Sequence, residues 1–538
     1  DILGGSFKIA LKPGMVDDVK QGRPIPSDAV SLDLKFCGTS IAYIPELPPV
    51  RTGPGTVAMA GAQFAVAIPQ GKVSVANGME IDVSDGRFDV ADIRENPNMG
   101  VVTFRGAAPT PAVTTLLDYE ACAFISGVGL KPDFLGGTAT GEFTFNIPLV
   151  ENLNPRDIKI AGAARLENAI TPGLVGDLAI EGGVVDVNMT SESVSASGNV
   201  TIKDVPAAVH WQRLFYAPES EQPPISVTAI LDAPSRDALG LKVNDIVKGS
   251  TPVTLYLSGL SKGTGQPDTS GMTMVADLTN AQLLFHAFGW KKPAGQDAKL
   301  SFVVNKKPGG STDLDNFQIE GEGLAILGRI ALDNDNEITS LSFPKFSFGT
   351  LTDMSIEALR RDDGVMQIRA EGASYDARDF FHTLISADQL TDSAKAETDD
   401  ATNIDLTAKI GRLVGYDNSY ATDVDVSLTK RGGELVALNG RGLLSGQKPI
   451  KVELQDNNGS RVLTANADDA GTAFRLIGTG VSALREGSRA DDTDMLDRRA
   501  AHAERAMDDL RKKFGNAAVI RGIAYKGPAK EEDEEEEE

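Results

Sequence analysis

The stretch Met79-Glu80-Ile81-Asp82-Val83-Ser84-Asp85-Gly86-Arg87-Phe88-Asp89-Val90 decides the fold class of this chain. Met79, Ile81 and Val83 alternate with Glu80, Asp82 and Ser84, and beyond Asp85-Gly86 the apolar Phe88 and Val90 alternate with Arg87 and Asp89. A period of two puts successive side chains on opposite faces of a strand, so one face is apolar and the other polar. Asp-Gly is a turn dipeptide, and it predicts a hairpin bending at Asp85-Gly86.

The same alternation recurs on both sides of this stretch. It runs through Val73 and Val75, through Leu300, Phe302 and Val304, and through Phe317 and Ile319 against Gln318 and Glu320. Further on it includes Met354, Ile356 and Ala358, then Met366 and Ile368, then Val424, Val426 and Leu428, and finally Ile450, Val452 and Leu454 before Asn457-Asn458-Gly459. Helical periodicity up to about residue 470 is confined to short runs at 111–117, 236–241 and 377–385, which read as accessories to a sheet. Only 6% of residues are aromatic, so Val, Ala, Ile, Leu and Gly line the strands. That composition predicts a mainly β, elongated and curved antiparallel sheet with one apolar face, in preference to several aromatic-filled sandwiches.

The chain divides into a body at 1–390, a polar, acidic linker or loop at 391–403, and further strands at 404–470. A small α/β segment follows at 473–527, where Ala503, Met507, Leu510 and Phe514 are spaced for one helix face and Gly515 can stop the helix, ahead of a strand at 519–525. Residues 528–538 form an acidic tail that is predicted to be disordered.

With 41% hydrophobic residues the chain can bury a core, which excludes wholesale disorder. The net charge of −24 stays strongly negative without the terminal acidic run, which argues against a phosphate-backbone binder. No run of roughly 18 apolar residues is present for a membrane-spanning helix, and the N-terminus lacks the charged-then-apolar pattern of a signal peptide. The chain also starts without Met, so the expectation is a part of a longer protein. Cys37 and Cys122 are too few for a disulfide scaffold or a structural zinc site; they permit one bridge or two buried thiols.

A search for chemistry nominates no catalytic residue, no metal site and no cofactor. The four histidines, His210, His286, His382 and His502, form no i, i+4 pair. Asp333-Asn334-Asp335-Asn336-Glu337 has the alternate acids of a calcium loop, but Ile338 and Pro344 stand where Gly and Glu are needed, so it reads as a hairpin turn. Neither a phosphate-cradling glycine loop nor a nucleophile elbow occurs. What remains is the surface of the sheet. A single apolar face either packs into a closed core or serves as a binding face for something apolar, and both accounts fit the alternation.

Four strings add a resemblance. They are Ala276-Asp277-Leu278-Thr279-Asn280-Ala281 with Gly289-Trp290-Lys291-Lys292-Pro293-Ala294-Gly295; Gly198-Asn199-Val200-Thr201-Ile202-Lys203-Asp204-Val205-Pro206-Ala207 with Trp211; Leu239-Gly240-Leu241 with Val243-Asn244-Asp245; and Glu371-Gly372-Ala373-Ser374-Tyr375-Asp376-Ala377-Arg378. Over residues 1–470 the chain resembles the AsmA-like proteins of Gram-negative bacteria, in particular the YhdP-like branch. The resemblance implies a β-taco-like groove with an apolar interior, held in the periplasm by an inner-membrane anchor helix that this chain does not contain. It also implies phospholipids as partners, carried between inner and outer membranes without catalysis.

The residues expected to line the groove are Val73, Val75, Ile81, Val83, Phe88, Val90, Phe302, Val304, Phe317, Ile319, Ile356, Ile368, Val424, Val426 and Val452. Trp211, Gly289, Trp290, Pro293, Gly295, Asp376 and Arg378 are the motif positions. A competing expectation is a scaffold that binds outer-membrane proteins by strand addition at open sheet edges. The segment 473–527, with Phe474-Arg475-Leu476-Ile477-Gly478 and Lys513-Phe514-Gly515, resembles instead the C-terminal end of a DinB-type Y-family DNA polymerase, lacking the catalytic palm. That resemblance implies a fusion or an assembly junction near residue 472, and the acidic body makes nucleic acid an unlikely partner.

Overall fold

The computed structural model describes residues 2–23, 26–43, 46–120, 124–127, 130–175, 178–258, 271–285, 288, 290–307, 309–381, 403–432, 434–457 and 460–477. The chain forms two compact units, Asp1–Gly478 and Thr479–Glu538, and every described residue belongs to the first. The expected helix through Ala503 and Phe514, the strand at 519–525 and the acidic tail lie outside the described residues, as does nearly all of the expected linker.

Among its described residues the first unit is mainly β, one large curved open sheet of 28 strands with few short helices. Strands pair almost entirely with their sequence neighbours, from Ile2–Ile9 against Val30–Phe36 at one edge to Lys448–Asn457 against Ser460–Ala467 at the other. This follows from the sequence: short alternating runs joined by tight turns can only meander. One pair among the described strands departs from the antiparallel expectation, because Met366–Asp376 and Ile404–Val414 run parallel. A parallel pair needs a crossover, and the intervening segment, which opens with the helical residues 378–381, supplies its length.

The expected hairpin turn at Asp85-Gly86 is not formed. Glu80–Val90 is a single strand, and Asp85-Gly86 is a bulge within it: Asp85 has φ +52°, and the register against Asn98–Pro109 shifts between Ser84 and Arg87. The hairpin bends instead at Asn77-Gly78, between Gln63–Ser74 and Glu80–Val90, with Gly78 at φ +81° and the Asn77 Oδ1 accepting from the Met79 N–H at 3.1 Å. One extra residue in a strand restores the face after a parity change. That is why odd-numbered Ile81 and Val83 and even-numbered Phe88 and Val90 share the apolar side.

Following the register across the sheet fixes where the accessory elements sit. One end of the strands runs through the pairs Ser74–Glu80, Ile202–Val205, Leu231–Thr251, Gly321–Leu324, Phe348–Thr352, Val414–Tyr420 and Leu444–Lys448. The connections at this end hold helices Thr110–Leu117 and Ala233–Ala238, the start of the helix at 378–381, and helix Ala470–Ile477. They also hold a separate small sheet of Val247–Lys248, Gln282–Phe285 and Trp290–Lys292. The expected helix at 111–117 is present, and the one at 236–241 starts three residues earlier because Asp232 caps it, accepting from the Ser235 N–H at 2.9 Å. Asp333–Glu337 is a hairpin turn, with Asp333 accepting from the N–H groups of Asp335 and Glu337.

Candidate apolar binding face

Among the described residues, the first strands carry an apolar face with little over it. Cross-strand neighbours form one row through Phe7, Leu32, Met59, Phe64, Val90, Gly100 and Ile147, and a second through Leu34, Val57, Val66, Phe88, Val102, Phe145 and Ile160. Each row crosses seven strands. Phe104 stacks on Phe143 at 5.6 Å and on Phe145 at 6.2 Å, and the Phe88 ring lies over Gly100, where a Cβ would meet it at 2.6 Å. Apart from Val90, which is 4% exposed, these side chains are half-buried or, in the case of Phe7, exposed, and none belongs to the three buried clusters found among the described residues. Ion pairs occupy the opposite face, including Lys72 with Glu80 and Asp82, Arg87 with Asp89, and Arg105 with Asp85 and Glu142.

Further along, the apolar face is filled by the protein itself. Leu283, Phe285, Phe288 and Trp290 of the small sheet and its loop pack into the largest cluster. There Phe285 and Trp290 lie against Phe348, and Phe288 against Phe346, Phe348 and Tyr375. Desolvation in this packing pushes the Tyr375 hydroxyl above its ordinary pKa.

Two buried cations tie the small sheet down. Lys292 is 1% exposed, and its Nζ donates to the carbonyls of Leu278, Thr279, Ala281 and Pro293 at 2.8–3.1 Å. Burial pushes the Lys292 pKa down, and the charges of Asp277 and Asp297 oppose that shift. Thr279 holds Asp277 below the usual carboxylate range, through its side chain and through its N–H at 2.9 Å. Arg236, 3% exposed, donates to the Asn244 side chain at 2.7 Å and to the carbonyls of Leu231, Gly249 and Val247. The resemblance strings around 276–295 and 239–245 therefore build one structural unit.

At the far end, an apolar slot of about 80 Å³ lies between the sheet and two helices. Gly440, Gly442, Val424, Val426 and Val452 line the sheet side, and Phe380, Phe381, Leu476 and Ile477 line the helical side.

The fifteen residues expected to line a groove stand in different surroundings, fourteen of them within strands and Val75 just past the end of Gln63–Ser74. Val73, Val75, Ile81 and Val83 pack beneath helix Thr110–Leu117, whereas Phe88 and Val90 belong to the open rows. Phe302 and Val304 join a second cluster together with Trp211. Phe317, Ile319, Ile356, Ile368, Val424, Val426 and Val452 lie in or against the largest cluster, as Trp290 does. Pro293 contributes its carbonyl to the Lys292 cage, and the Gly295 N–H donates to the Thr279 carbonyl at 2.8 Å. Asp376 and Arg378 form an ion pair, and the Arg378 carbonyl accepts from the Tyr416 hydroxyl at 2.9 Å. Gly289 and Cys122 lie outside the described residues; Cys37 is half-buried. Sequence reading missed the first-strand aromatics Phe64, Phe104, Phe143 and Phe145 and both buried cations. The alternation of Phe143, Phe145 and Ile147 carried a signal, but a cation folded into a carbonyl cage carries none.

Among the described residues no cluster of His, Cys, Asp or Glu is arranged to hold a metal ion, and no helix is long and apolar enough to cross a membrane. Comparison with known proteins yields short likenesses to DNA polymerase IV. The chain is 32% identical to DNA polymerase IV 1 of Mesorhizobium japonicum over 158 residues, 26% of this chain and 34% of that protein. It is 50% identical to the DNA polymerase IV of Brucella melitensis over 58 residues, 10% of this chain and 13% of that protein. For the Caulobacter vibrioides enzyme the figures are 45% over 65 residues, 12% of this chain and 16% of that protein. The chain thus spans about a third or less of the length of these curated relatives. No protein-family model matches it, and no solved structure matches it. The partial likeness agrees in class with the Y-family resemblance; the AsmA-like resemblance finds no counterpart in these comparisons.

Proposed function

We propose that this protein is a non-catalytic, AsmA-like lipid-binding scaffold that carries phospholipid acyl chains on the apolar face of its sheet, in the periplasm between inner and outer membranes. The observation that supports this reading is the pair of apolar rows crossing the first strands. Their backbone groups are already paired within the ladder, so an occupant needs no hydrogen-bonding capacity of its own. Acyl chains have none, and each buried methylene contributes about 0.8 kcal/mol. The four resemblance strings point to the same class.

The test is native mass spectrometry with lipid extraction on the full chain purified from a Gram-negative periplasm. We expect co-purified phospholipid. A lipid-free, folded protein would sink the reading and leave strand addition as the better account, since Ile2–Ile9 and Ser460–Ala467 each have a ladder partner on one side only among the described strands. The likeness to DNA polymerase IV favours another reading, a DNA contact through the C-terminal segment. The acidic body opposes it, and it would require retention on duplex DNA that is lost in salt and on removal of residues 479–538.

A further inference from the structure

The apolar face is not equivalent along its length. In the middle of the sheet Leu324 is 4% exposed, Ile326 2%, Phe346 6%, Phe348 3% and Met354 6%. The rings that cover this region come from the small sheet and its loop, and the carbonyl cages of Lys292 and Arg236 fix that sheet in place. Opening this region would strip four carbonyls from a buried ammonium, so it does not behave as a movable lid. In the two rows of the first strands the side chains other than Val90 are half-buried or, for Phe7, exposed, and among the described residues no comparable small sheet packs over them.

We propose that the acyl-chain site is confined to the two apolar rows of the strands between Ile2 and Ile160, and that the middle of the sheet is a closed core. This rests on the lipid reading above and narrows it. The occupant we commit to is the acyl portion of a phospholipid. The rows contain no charged residue, which complements a ligand without charge along its length, while Arg87, Asp89, Arg105 and Glu142 all face the other side. Seven strands at about 4.8 Å spacing give a strip of roughly 29 Å. A bilayer's hydrocarbon core, two chains end to end, is about 30 Å thick. One extended chain therefore fits across the strands with room to spare. A consequence is that Ile319, Ile356 and Ile368 are packing residues and not part of a conduit.

The experiment uses the full chain and a phosphatidylcholine bearing a diazirine in its acyl chain, presented in vesicles, with adducts mapped by peptide mass spectrometry. Adducts should fall on peptides carrying Phe64, Phe88, Val102 or Phe145, and excess unlabelled phosphatidylcholine should reduce them at least fivefold. Phe88→Ser with Phe145→Ser should lower the yield by a similar factor while the far-ultraviolet circular dichroism is unchanged. Competable adducts on peptides carrying Ile326, Ile356 or Ile368 would overturn the confinement while leaving the lipid reading intact. No competable adduct anywhere would remove both. A dimer that dissociates on Phe88→Ser, without adducts on these strands, would assign the strip to a second copy of the chain and overturn the proposal.

Discussion

Lys292 places an ammonium group where water does not reach, and four backbone carbonyls between Leu278 and Pro293 replace its hydration shell. A buried charge is tolerated only when such partners are complete. Lys292→Met keeps the apolar stem and removes every donor, so carbonyls that turn inward at residues 278–281 lose their partner. We expect a loss of more than about 3 kcal/mol, read as a shift of the urea midpoint of the full chain. A change under about 1 kcal/mol would mean that the turn holds its shape without the cation. Nothing in Gly289-Trp290-Lys291-Lys292-Pro293 distinguishes Lys292, which is buried, from Lys291, which is exposed. The burial is set by which residue pairs with Leu283 in the small sheet, a contact made by a strand formed from the same connection.

The bulge at Asp85-Gly86 sets the face of an entire strand. Deleting Asp85 removes the extra residue, and the period-two rule then drives Phe88 and Val90 toward the polar side and Arg87 and Asp89 toward the apolar one. We expect the deletion to cost more than about 3 kcal/mol, whereas Asp85→Asn, which tolerates φ +52°, should stay within about 1 kcal/mol. Equal stability of the two variants in urea would show that the strand realigns without penalty. This element also shows how far the sequence could be read. Alternation identified the apolar face correctly on both sides of residue 85, because burial acts on every second side chain. It could not separate a bulge from a turn, since both absorb one residue of parity, and the Asn77-Gly78 dipeptide eight residues upstream was the stronger turn signal. The parallel pairing of Met366–Asp376 with Ile404–Val414 was illegible for another reason: strand direction depends on the length of the connection, and alternation is blind to it. Likewise, alternation assigns Phe88 and Ile356 to the same kind of face, and only the small sheet, folded in from the connections that hold Val247–Lys248, Gln282–Phe285 and Trp290–Lys292, separates an open row from a closed core.

A sheet that grows by adding neighbours behaves almost one-dimensionally: each strand is held by the two beside it, and the ends have one neighbour fewer. The first edge strand, Ile2–Ile9, is exposed along its whole length, while strands between Ala298 and Arg360 surround the largest buried cluster. Opening free energies should therefore rise from both edges toward the middle, without a single value for the whole unit. Hydrogen exchange on the full chain should find the fastest amides in Ile2–Ile9 and Ser460–Ala467, intermediate protection in Gln63–Ser74 and Glu80–Val90, and the slowest exchange in Leu324–Leu332, Ile338–Phe348 and Thr352–Arg360. Uniform protection followed by simultaneous exchange would show that the unit opens as one body and that the packed middle does not stabilise its own section independently. The expected gradient also bears on function. Under the proposed lipid reading, a face built on strands that open more readily than the core would adjust to acyl chains of different length, whereas the middle, closed by its own aromatic rings, would stay constant and hold the sheet together.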